Sequence, residues 1–120
     1  MDSKDTIYDL KKLGRDFTTE RDWDQFHNAK DVSSAIMIEA GELADIFRFK
    51  DDAQIKALFD DPLVVEKISF ELSDVLFWVL RLADRYGIDL SDSFRKKMVL
   101  NEQKYPVEKV KGDNRKYTEY

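Results

Sequence analysis

Two acidic pairs with helical spacing constrain this chain more than any other feature. Glu39-Ala40-Gly41-Glu42 lies inside residues 33–49, and Glu71-Leu72-Ser73-Asp74 inside residues 63–86. Both stretches carry apolar residues at helical intervals, and residues three apart on a helix share a face. Each helix then holds two carboxylates one turn apart, which costs an isolated helix roughly 0.2–0.5 kcal/mol per pair. If the two helices pack on each other, four negative charges converge. That is tolerable when the acids are solvated on a surface, or when a cation sits among them. An all-oxygen ligand set suits Mg²⁺ or Mn²⁺. Glu39, Glu42, Glu71 and Asp74 are therefore candidate ligands of a divalent ion, and through it of a polyphosphate.

A single Glu-x-x-Glu is ordinarily a solvated helix face. Here both pairs are embedded in apolar sequence. Ile36-Met37-Ile38 precedes Glu39, and Val75-Leu76-Phe77 follows Asp74. Unpaired charge near a core edge is costly. Lys67 is the one basic residue within four positions of either pair. That scarcity favours a metal over protein counter-charges.

The rest of the chain reads as helices. Ile7, Leu10, Leu13 and Phe17 give a stripe over residues 3–21, with Gly14 in mid-stripe. Residues 22–28 break the period and gather Trp23, Phe26 and His27, and Asn28 is a plausible cap for the next helix. Val32, Ala35, Ile36, Leu43, Ile46 and Phe47 predict a buried stripe on a helix over 30–49. A short amphipathic helix over 53–59 precedes Asp61-Pro62, a helix-start signal. The helix over 63–86 is apolar nearly all round in its middle, so it should be covered on more than one side. A chain this small has little such cover of its own to offer, and a homodimer or homotetramer is expected. Gly87 closes that helix. A last main helix runs from Asp89 to about Tyr105, before Pro106, and residues 107–120 form a polar tail without helical period. The expected fold is all-α, a single domain over 1–120 built as a bundle of four main helices plus one short connecting helix.

Composition narrows the function. A net charge of −5 argues against general affinity for nucleic acid or anionic membrane. No cysteine means no thiolate zinc site and no cysteine nucleophile, and one histidine excludes sites needing two from one chain. The polar N-terminus has no apolar signal core, and no apolar run is long enough to span a bilayer. A soluble, cytoplasmic protein is expected.

Aromatic and basic residues complete the candidates. Trp78 continues the acidic stripe of Glu71 and Asp74, and Phe49 lies two turns beyond Glu42. Aromatics beside a metal site can stack on a nucleobase, although large aromatics more commonly fill a core. His27 could donate to a base edge or act as a surface capping group. Lys97, Asn101 and Lys104 share one helical stripe, either a solvated face or an anchor for phosphates.

Together these residues resemble the MazG-like all-α nucleotide pyrophosphohydrolases, nearest to the dCTP pyrophosphatase branch. The resemblance rests on Glu39/Glu42 with Glu71/Asp74, and extends through residues 20–27, 41–44, 71–76, Asn101 to Pro106, and 115–119. It implies hydrolysis of a nucleoside triphosphate between its α- and β-phosphates, releasing a monophosphate and pyrophosphate. It implies Mg²⁺ on Glu39, Glu42, Glu71 and Asp74, the nucleoside on Trp23, Asp24, Gln25, Phe26 and His27, and further base contacts from Phe49 and Trp78. On their helical stripe, Lys97 and Asn101 are the candidates for phosphate anchoring. The alternatives are a related pyrophosphohydrolase for dUTP or for other canonical or damaged nucleotides, and a non-catalytic helical dimerisation module.

Overall fold

The computed structural model describes all 120 residues, and the chain is all-α, as predicted. It divides into two compact units, residues 1–87 and 88–120. The first contains α1 (Ile7–Glu20), a 3-10 turn (Asp24–Phe26), α2 (Ala29–Phe47), α3 (Asp52–Leu58) and α4 (Pro62–Arg85). The second contains α5 (Leu90–Lys104), the one-turn α6 (Val107–Val110) and a 3-10 turn (Tyr117–Glu119). No helix is long and apolar enough to cross a membrane.

Side-chain caps set the helix boundaries. The first helix starts at Ile7 rather than near Ser3, because Thr6 and Asp9 form a reciprocal capping box. The Asp9 amide donates to Thr6 Oγ1 at 3.1 Å, and the Thr6 amide to Asp9 Oδ2 at 2.8 Å. Asn28 caps α2 as expected, accepting from the Asp31 amide at 2.9 Å. Asp61 caps α4, with Pro62 at its first turn. Gly87 takes the left-handed conformation, φ 66°, that ends α4.

In the first unit α4 is the central helix, packing against α2 and α1. Val32, Ile68, Leu80 and Ala83 form the buried apolar core. The Ala29 amide donates to the Tyr86 hydroxyl at 2.9 Å, tying the start of α2 to the end of α4. As expected of so small a chain, α4 is not fully covered within it. Leu63, Phe70, Leu72 and Leu76 stay exposed.

In the second unit the polar tail carries the helical turn α6 and a 3-10 turn. Tyr117 packs edge-on against Tyr105 with ring centroids 5.9 Å apart, and Lys104 Nζ lies 5.0 Å from the Tyr117 ring. The Tyr120 hydroxyl donates to the Lys104 carbonyl. Aromatic contacts, invisible to a periodicity argument, fold this segment back on the end of α5.

Candidate metal centre and aromatic cleft

The packing of α2 along α4 brings together three of the four predicted carboxylates. One oxygen from each of Glu39, Glu42 and Glu71 lies within 4.8 Å of the others. Glu39 and Glu71 are half-buried and Glu42 is exposed. Oε2 of Glu39 and Oε2 of Glu71 are sealed from solvent with no hydrogen-bond partner. A buried acceptor left unsatisfied costs about 1–3 kcal/mol, and more when charged. These orphaned oxygens belong to two members of that acidic cluster, so the donor set fits a hard divalent cation. Asp74 stands outside this group, exposed on the next turn of α4.

Electrostatics agree with that geometry. Glu39 titrates above the ordinary carboxylate range, first because burial penalises its charge. The neighbouring Glu42 and the charge of Asp74 add to the rise, while Trp78 opposes it.

The acids bridge two clefts. One, of about 700 Å³, is lined by Glu42, Glu71, Asp45, Lys50 and Lys67 among others. The second, of about 770 Å³, is mainly apolar, and its walls include Glu39, Asp74, Gly14, Phe17, Phe77 and Trp78. One side of the carboxylate group therefore offers ammonium groups, and the other offers aromatic faces.

The aromatic wall is continuous. Phe17 meets Trp23 edge-on at 5.9 Å and Phe77 at 6.1 Å. Trp78 meets Phe77 at 5.0 Å and His27 at 5.0 Å, again edge-on. Gly14 leaves room at this wall, where an added Cβ would make ordinary contacts with Phe77 at 3.5 Å and Arg81 at 3.7 Å. Packing does not demand the glycine.

The 22–28 connector is clamped from behind by an ion network. Arg81 is 1% exposed and donates to Asp24 Oδ1 at 2.7 Å, Asp84 Oδ2 at 3.1 Å and His27 Nδ1 at 3.4 Å. Arg85 reaches the other oxygen of Asp24 at 3.1 Å, and Arg15 Nε donates to Asp84 at 2.9 Å. The Arg15 guanidinium, with Arg81, holds the Asp84 carboxyl below its usual range. Burial, then the charge of Arg81, lowers the His27 pKa.

The remaining predicted residues occupy varied places. Trp23 and Phe26 are exposed, and Gln25 donates to the Asp22 carbonyl and carboxylate, both at 3.0 Å. Asp24 spends both oxygens on arginines. Phe49 is not on the α2 face, because that helix ends at Phe47. Phe49 instead has a left-handed backbone, φ 60°, is 91% exposed, and carries the Arg48 guanidinium 4.5 Å over its ring. Lys97 and Asn101 lie on α5 in the second unit. Sequence reasoning missed Arg81, Asp84 and Arg15, and also Lys50. The available signal was Leu80-Arg81-Leu82-Ala83-Asp84, two charges set in the apolar seam of a helix. Charges so placed require partners.

Comparison with known proteins points the same way. The sequence profile of the MazG-like family matches residues 34–120. The chain belongs to the MazG-like family. This MazG-like chain is 39% identical to dCTP pyrophosphatase 1 of Rattus norvegicus over 114 residues, which cover 95% of this chain and 67% of the relative. It is 37% identical to dCTP pyrophosphatase 1 of Homo sapiens over the same span. Its fold matches the crystal structure of a pyrophosphatase from Archaeoglobus fulgidus, with TM-score 0.72 and 31% identity, covering 83% of this chain and 92% of that one. Like these relatives, the MazG-like chain is an enzyme, a hydrolase.

Proposed function

We propose that this chain is a Mg²⁺-dependent nucleoside triphosphate pyrophosphohydrolase that converts a dNTP to dNMP and pyrophosphate, with dCTP or a modified dCTP as the favoured substrate. Its role would be removal of unwanted nucleotides from the precursor pool. The observation that carries this reading is the pair of orphaned buried oxygens, on Glu39 and Glu71, within an acidic group that bridges a lysine-lined and an aromatic cleft. The names of the relatives supply the substrate class.

Glu39, Glu42 and Glu71 would hold the ion, with Asp74 as the fourth carboxylate at the rim. Bound there, Mg²⁺, or Mn²⁺ in its place, would supply Lewis-acid charge to the phosphoryl oxygens. The chain's own contribution is placement. The base lies against Trp78 and the wall around it, helped by the connector Trp23–His27 and by Phe49. The phosphates run toward Lys50 and Lys67, which line the cleft beside Glu42 and Glu71. A water attacks the α-phosphorus, and a carboxylate of the group takes its proton. The bond to the α–β bridging oxygen breaks, so that this oxygen leaves with pyrophosphate. Catalysis is largely positioning and charge neutralisation. The exposed apolar side chains of α4 support association into a homodimer or homotetramer.

The test is a panel of canonical and 5-modified deoxynucleotides with pyrophosphate detection. Preference for dCTP or its 5-substituted forms supports the reading. Preference for dUTP moves the chain to a neighbouring specificity, and no hydrolysis with any nucleotide removes it. Against a non-catalytic dimerisation module, a non-hydrolysable dNTP should raise the Tm only when Mg²⁺ is present.

A further inference from the structure

His27 is the sole histidine of the chain, is 7% exposed, and is joined to the rest of the protein in an asymmetric way. Its Nδ1 accepts a hydrogen bond from Arg81 Nε at 3.4 Å. Arginine can only donate, since its guanidinium carries no acceptor and stays charged. The nitrogen facing it must therefore be the unprotonated one. In a neutral imidazole the proton then resides on Nε2. Nε2 is bonded to no protein group, yet it is not among the atoms sealed from solvent without a partner. It is thus a donor left open at the molecular surface. The ring stands edge-on to Trp78, 5.0 Å between centroids, and Trp78 lines the aromatic cleft.

Arg81 is itself fixed. Its other nitrogens are taken by Asp24 and Asp84, and Asp84 is held from its far side by Arg15. The charged groups around the imidazole are Arg81, Asp24 and Arg85. Burial and the two arginines disfavour a second proton on the ring, and Asp24, which would favour one, has both oxygens engaged.

We propose that Arg81 is a positioning residue that locks His27 in its Nε2–H form, making it a fixed hydrogen-bond donor to an acceptor on the nucleobase, of the exocyclic carbonyl class. The base contact rests on the proposed nucleotide hydrolysis; the tautomer does not. A fixed donor discriminates between base edges, because a base presenting a donor at that place leaves both groups unpaired.

Nitrogen-15 NMR of the wild-type protein tests the first half directly, since one histidine gives one pair of ring signals. The expected result is an unprotonated Nδ1 and a protonated Nε2. The reverse assignment, or averaged signals from both forms, overturns the proposal. Arg81→Lys keeps a positive charge for Asp24 and Asp84 but loses the guanidinium donor, and should give averaged ring signals. With the best substrate its KM should rise about tenfold with kcat changed less than threefold. A fixed tautomer and unchanged KM in this variant overturn the proposal. A drop in kcat with KM constant does so as well, since it would place Arg81 in the chemistry rather than in base recognition. His27→Gln, whose amide can still donate, should retain more affinity than His27→Leu; equal losses count against the donor role. Nε2 protonated as expected in a protein that hydrolyses no nucleotide would remove the proposed activity and the base contact with it, leaving only the tautomer.

Discussion

Arg81 Nη2 lies 2.7 Å from Asp24 Oδ1, joining the buried face of α4 to the short turn that carries Trp23 and His27. The arginine is fully buried while the aspartate is partly exposed, so the two ends of the bond are not equivalent. Loss of Asp24 frees a loop. Loss of Asp84, the arginine's other carboxylate, weakens the compensation of a charge inside the core. Removing one partner of a buried pair costs about 3–5 kcal/mol. Asp24 remains as a second partner, so Asp84→Ala should lose about 3 kcal/mol, the low end of that range. Urea denaturation measures it, and a loss below about 1 kcal/mol, the level of an exposed ion pair, contradicts the burial argument.

The same network sets the acid limb of stability. His27 and Asp84 both have folded pKa values below their ordinary ones. In both cases the unfolded chain binds protons more readily, so stability rises with pH across the interval between the two values. The His27 contribution is complete above about pH 6.5 and is lost as pH falls through its lower folded value. The Asp84 contribution is complete above about pH 4 and is lost on further acidification. Thermal denaturation of His27→Gln should show a flatter profile just below neutrality, and Asp84→Asn a flatter one in acid. Profiles parallel to wild type would assign the acid limb to other groups.

Removing a carboxylate from the cluster should separate stability from activity. In metal-free buffer Glu39→Gln relieves repulsion and ends the burial of a charge, so its Tm should equal or exceed that of the wild type. Glu42→Gln and Asp74→Asn should keep their helical circular dichroism. Turnover should fall by more than about 100-fold in each, beyond the 10–100-fold typical of outer partners of a metal. Retained turnover in Glu42→Gln and Asp74→Asn would dismiss the assignment of these acids.

Trp78 continues the stripe of Glu71 and Asp74, but its ring belongs to the aromatic wall with Phe77 and His27. Trp78→Ala should weaken nucleotide binding by about 1–3 kcal/mol, the range for loss of one stacked base. Mn²⁺ affinity, followed by electron paramagnetic resonance without nucleotide, should move far less. Equal losses in both would make the residue a support of the acids rather than of the base.

The carboxylate cluster was legible because its spacing and the helix period are nearly the same number. Two Glu-x-x-acid pairs in apolar helices have few ways to pack other than together, and Glu39, Glu42 and Glu71 meet as that logic requires. The caps at Asn28 and Asp61 were legible for a similar reason, being local chemistry read from adjacent residues. The Arg81 network was not. It joins residues 15, 24, 81 and 84 across long sequence separations, and nothing periodic announces that an arginine will point inward. Phe49 failed differently, since its placement on the acidic face assumed two more residues of helix than α2 has.

Phe49 itself makes the last expectation. Its left-handed backbone costs a non-glycine residue roughly 1–2 kcal/mol, and at 91% exposure the ring recovers little of that by packing within the chain. Such a conformation persists where surrounding structure or function imposes it. Phe49→Gly should therefore stabilise the free protein by up to about 1 kcal/mol, since glycine adopts this backbone freely but also gains entropy when unfolded. If the ring closes over a bound base, the same substitution should raise KM for the nucleotide several-fold while leaving Mn²⁺ affinity unchanged. Differential scanning calorimetry and steady-state kinetics on the one variant read both effects. A more stable protein with unaltered KM would leave Phe49 out of the site, and a less stable one would mean that its ring is packed by a partner subunit.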